Sequence, residues 1–134
     1  MLSETITLQI PETIYQRLAQ TARATGRALE DVILHALRVG SPPIWEDVPP
    51  EFQTDLASMD KLDDNALWEI ARGRKVPADM ERYNALLERN QNDSLTEAER
   101  LELSTLRTEV DRFMLRKAHA TALLRWRGHV VSAA

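Results

Sequence analysis

From Thr5 to Ile10 the chain alternates polar and apolar side chains, and β-branched residues are frequent. That period of two predicts a strand. Pro11 ends it and suits the first turn of a helix, where its missing N–H costs little. Ile14, Tyr15, Leu18, Ala19 and Ala22 then recur at helical spacing, with Gly26 as the stop. Leu29, Val32, Ile33, Ala36 and Leu37 repeat the pattern up to Gly40. Two Pro-Pro pairs follow, Pro42-Pro43 and Pro49-Pro50, and they predict an extended, semi-rigid linker. Beyond it the spacing predicts helices only: a short candidate over 52–59, one over 65–71 ended by Gly73, and one over 79–90. Thr96-Glu97-Ala98-Glu99 reads as a capping box. It opens a helix that runs to Arg127, with Gly128 as its stop. Thirty-one residues at ~1.5 Å rise make a rod of roughly 47 Å.

Two of these elements lack a partner in the sequence. The strand has no second strand to receive its N–H and C=O groups, and forty residues bury little on their own. Pairing with a second copy through the N-terminal strand repairs both deficits and predicts a homodimer. The long helix carries Leu103, Leu106, Val110, Phe113, Lys117, Ala120 and Leu124 at alternating steps of three and four. The helix before it is too short to cover that stripe beyond about Phe113. Two coverings remain open: the preceding helix for the first half, and a second subunit or another protein for the rest.

Charge sharpens the division. The net charge is −4 over 134 residues. Residues 1–40 are balanced, residues 41–64 carry seven acids against Lys61, and residues 65–134 carry a slight basic excess. The expected domains are therefore 1–40, an acidic Pro-rich linker over 41–62, and a helical partner-binding region over 63–134. Absence of cysteine excludes disulfides and thiolate metal sites, and it fits a reducing cytoplasm. No apolar run approaches the ~20 residues of a bilayer span, and the first residues lack a signal-peptide pattern.

Thr5-Ile6-Thr7-Leu8-Gln9-Ile10-Pro11-Glu12, Ile14-Tyr15, Leu18, Thr25-Gly26-Arg27 and Leu29-Glu30-Asp31-Val32-Ile33 together resemble the ribbon-helix-helix family, DNA-binding dimers common among prokaryotic repressors and antitoxins. The resemblance covers under a third of the chain. The tail looks like the C-terminal part of prokaryotic antitoxin-like proteins, on the strength of Leu95-Thr96-Glu97-Ala98-Glu99-Arg100, Leu115-Arg116-Lys117-Ala118 and Leu123-Leu124-Arg125. The implied fold is mainly α. It comprises an N-terminal ribbon-helix-helix of one strand and two helices completed by homodimerisation, an extended linker, and a helical hairpin with a long last helix. The family lays its paired strands in the major groove. That implies Thr5, Thr7 and Gln9 as base contacts, and Arg27 and Ala28 at the phosphate-facing turn of the second helix. The chain departs from the family in placing no Arg or Lys at the three outward positions and no Ser or Thr cap at Ala28, which points to weak DNA affinity.

Catalysis finds little in the composition. His35, His119 and His129 form no metal-ligand spacing, and Ser94 and Thr96 suit capping. Asp60, Asp63 and Asp64 suit a solvated helix start, so no catalytic residue, metal or cofactor is expected. Two features suggest a protein partner. Trp45, Phe52 and Trp68 lie in or near the acidic stretch, either as a strap that wraps a basic surface or as rings that tuck the stretch onto the helices. Arg112, Arg116, Lys117, Arg125 and Arg127 form an acid-free run of cations around Trp126. The resulting expectation is an antitoxin: an N-terminal dimer on operator DNA, with the rest of the chain blocking a toxin, plausibly a nuclease. The alternative is a stand-alone repressor or DNA-bound scaffold whose helical tail mediates oligomerisation.

Overall fold

The computed structural model describes residues 2–132. The chain divides into two compact units, Met1–Ser41 and Pro42–Ala134, so the break falls at the first Pro-Pro pair.

The first unit is a pair of packed helices, α1 (Glu12–Thr25) and α2 (Leu29–Val39). Gly26 sits at φ 66°, ψ 25° and closes α1. Its N–H and that of Arg27 bond back to Arg23 and Ala22, an arrangement that needs a left-handed residue at this position. Among the described residues of this unit only Ala22 and Val32 are buried. Ile6, Leu8, Ile14, Tyr15, Leu34 and Leu37 all stand exposed, Leu37 by 55%.

The expected strand is absent. Residues 2–10 lie outside any helix or strand, all of them exposed, and no strand occurs among the described residues. The alternating pattern is present, but a strand is defined by a ladder to a neighbour, and no other extended run in the chain supplies one. The ribbon-helix-helix fold inferred from the first forty residues is therefore corrected to a helical pair with an irregular N-terminal lead.

The second unit contains α3 (Pro50–Ser58), a 3₁₀ turn (Met59–Lys61), α4 (Asp64–Arg72), α5 (Pro77–Gln91) and α6 (Glu97–Trp126). The linker expected over 41–62 is thus not extended throughout. Pro50 occupies the first turn of α3, where its fixed φ is favourable. Phe52 and Leu56, four apart, put one face of α3 into the interior.

The core joins Leu56, Met59, Leu67, Ala71, Ala120, Leu123 and Leu124, with Trp45, Val48, Trp68 and Leu115 packed around it. α4 makes the most extensive contact with α6, and α3 adds to it. The C-terminal half of the long helix is thus covered by its own chain, by elements the sequence pattern marked as linker and short helix. The first half packs on α5, with Leu86 buried on one helix and Leu103 on the other, as the hairpin expectation has it. Two ion pairs flank that contact, Arg82 with Glu102 and Arg89 with Glu99. The capping box is present: the Thr96 hydroxyl accepts from the Glu99 N–H, and the Glu99 carboxylate accepts from the Thr96 N–H.

Candidate functional site

In the first unit, the residues implied as DNA contacts are all solvent-facing. Thr5, Thr7 and Gln9 are exposed on the irregular lead, and Arg27 and Ala28 are exposed in the α1–α2 turn. Ala28 is the N-cap of α2, with ψ 142° and no side-chain cap. The amides of that helix start are the groups that would meet a phosphate. Glu30 and Asp31 sit in the same first turn, where they satisfy the helix dipole and oppose an incoming anion. Arg27 is the single cation at this turn, so the local field is not that of a strong phosphate clamp.

In the second unit, the residues suggested as a partner surface separate into different roles. Phe52 is 4% exposed and belongs to the interior, with the Arg112 guanidinium 5.5 Å from its ring centre. Trp45 and Trp68 are half-buried against the core. Of the two uses the aromatics allowed, tucking the acidic stretch onto the helices is the one observed. Trp126, 51% exposed, stays on the surface.

The run of cations is largely occupied from within. Arg116 pairs with Asp55, 61 positions away. Arg127 donates to the Leu62 carbonyl at 2.8 Å, to Asp64 at 3.0 Å and to the Asp60 carbonyl at 3.3 Å. The other carboxylate oxygen of Asp64 lies 2.7 Å from His129 Nε2. The Arg127 hydrogen bond, followed by that of His129, holds the Asp64 carboxyl below its usual range. His129 also meets Trp68 edge-on, with ring centres 6.0 Å apart. Asp64, expected only to start a helix, therefore ties the end of α6 to the start of α4.

Two features come from the tertiary structure. His119 is 7% exposed on α6, and its Nε2 has no hydrogen-bond partner. Burial pushes its pKa down, with Asp60 acting in the opposite direction. The available signal was its place beside the apolar stripe, one residue before Ala120. The second is a cleft of about 550 Å³ beside the end of α4, walled by Trp68, Arg72, Arg74, Lys117 and Val130. A smaller cleft of about 350 Å³ adjoins it across Ala71, Lys117, Val131 and Ser132. Arg72 and Arg74 stand on either side of Gly73 in the sequence, but nothing local shows that Lys117 joins them.

Among the described residues, no three His, Asp or Glu side chains gather as a metal site, and no helix is long and apolar enough to cross a membrane. No protein-family model, curated protein or solved structure matches the chain.

Proposed function

We propose that this chain is an antitoxin: its first unit dimerises and engages operator DNA, and its second unit docks onto a toxin. The observation that carries the reading is the contrast between the units. The first buries only two side chains and leaves Ile14, Tyr15, Leu34 and Leu37 in solvent, which is the surface of a module built to be completed by a second copy. The second, tethered at Pro42, holds its own core and offers a separate surface. Dimerisation doubles the few DNA contacts of each first unit, which suits a site with so little positive charge. Inhibition is steric, by occupation of a surface the toxin needs.

The test is neutralisation. A protein recovered with the full-length chain from its native host is identified and expressed alone. The reading requires that it arrest growth and that co-expression of this chain restore growth. Recovery of no growth-arresting partner refutes it. A mobility shift on promoter DNA, lost as salt rises, checks the DNA half.

A stand-alone repressor is the second reading, and the self-contained core of the second unit favours it. It requires the purified protein to melt cooperatively as an oligomer and to shift operator DNA without any partner.

A further inference from the structure

The adjoining clefts beside α4 and α6 share one chemical character, a basic lining. Arg72, Arg74, Lys117 and Arg125 line them, and among the described residues no carboxylate does. The ion-paired arginines of the chain lie elsewhere: Arg82, Arg89, Arg116 and Arg127 each meet a carboxylate. Among the described residues, none of the four cleft cations meets a carboxylate. Lys117 Nζ donates to the Gly73 carbonyl at 2.9 Å, and Arg125 donates to the Val131 carbonyl at 3.0 Å. Arg72 lies 4.3 Å above the Trp68 ring. These contacts hold the side chains in place while leaving their positive charge uncompensated.

Helix ends favour cations, and that accounts for Arg72 and Arg125 in the last turns of α4 and α6. It does not account for Arg74, which follows the helix, or for Lys117 in mid-helix. The floor between the cations is apolar, with Trp68 in the first cleft and the exposed Met114 in the second. The second unit as a whole carries seventeen acids against thirteen bases. Its net charge therefore works against anions at long range, while this groove gathers four cations in its lining.

We propose that the groove binds an acidic segment of a partner protein, an extended or helical peptide with carboxylates set among aliphatic or aromatic side chains. Carboxylates meet the unpaired guanidinium and ammonium groups, and apolar side chains cover Trp68 and Met114. A polynucleotide fits less well, since a continuous anion would also cross the acidic remainder of the unit. The proposal goes beyond the antitoxin reading and stands whether or not the partner is a toxin.

The experiment uses the full-length protein and a short fluorescein-labelled peptide alternating glutamate with leucine and phenylalanine, read by fluorescence anisotropy. Binding is expected, with a loss of roughly tenfold in affinity for Arg74→Glu and again for Arg125→Glu, because each reversal turns an attraction into a repulsion. Arg107→Glu, an exposed change elsewhere on α6, is expected to leave binding within about twofold, as only a screened long-range effect remains. Arg74→Gln, which removes charge without reversing it, gives an intermediate loss. Circular dichroism melts matching the parent establish that each variant folds. The proposal fails if the peptide does not bind, or if its glutamine counterpart binds equally. It also fails if Arg107→Glu costs as much as Arg74→Glu, or if oligodeoxythymidine binds more tightly than the peptide.

Discussion

Leu124 and Leu106 lie on one face of one helix, and replacing each with alanine tests where the second unit keeps its core. Helix propensity changes equally in both, so any difference reports packing. Leu124 is 0% exposed, packed among Leu67, Ala120 and Leu123. Leu106 is only half-buried. A fully enclosed leucine truncated to alanine costs about 2–5 kcal/mol, because the cavity term adds to the lost transfer energy. A half-buried one, whose site solvent or neighbours can fill, costs nearer ~1 kcal/mol. In a unit of this size each kcal/mol shifts Tm by about 4–8 °C. A loss of ~3 kcal/mol therefore lowers Tm by roughly 12–24 °C for Leu124→Ala, against roughly 4–8 °C for Leu106→Ala. Tryptophan fluorescence is the suitable probe, since all three tryptophans, Trp45, Trp68 and Trp126, belong to this unit. Equal shifts, or a larger one for Leu106→Ala, refute the assignment of the core to the α4–α6 contact.

Three further perturbations follow from the same geometry. Thr96→Ala removes the hydroxyl that caps α6 and should cost about 1 kcal/mol, measurable by urea denaturation, whereas Thr96→Ser should cost far less. Arg127→Met removes donors to two backbone carbonyls as well as to Asp64, so it should lower Tm more than Arg82→Met, which breaks only an exposed pair. His119 is held neutral by burial, so the unfolded chain takes up a proton before the native one does. Stability contributed by the neutral ring is complete above the unfolded value near 6.5 and is lost as pH falls from there through the lowered native value. His119→Leu should flatten the urea-midpoint profile just below pH 6.5, leaving only the carboxylate-driven loss below the ordinary 4.5 of Glu99 and Glu102 and 3.8 of Asp64. A variant with the parent's slope in that window removes His119 from the explanation.

The candidate site was legible in parts. The basic run at 112–127 was visible, but its meaning was not, because its partners stand far away in the chain: Asp55 for Arg116, Asp64 for Arg127. For Phe52 the sequence left a partner-binding strap and a tuck onto the helices both open, and its i+4 partner Leu56 turns it inward. Arg74 drew no notice, since a cation with no carboxylate beside it is recognised only when every neighbour is placed.

What the sequence by itself determined is local. Helix ends follow from signals that act within one turn: the left-handed Gly26, the Thr96–Glu99 box, and prolines that remove a donor and restrict φ. The Pro42 boundary is of the same kind. Which face is covered, and by what, belonged to the tertiary structure alone. The apolar stripe of α6 is equally compatible with a second subunit, another protein or its own chain, and α4 and α3 decided the matter for its C-terminal half. The alternation at 5–10 shows the converse, since a strand requires a ladder partner and none of the described residues provides one.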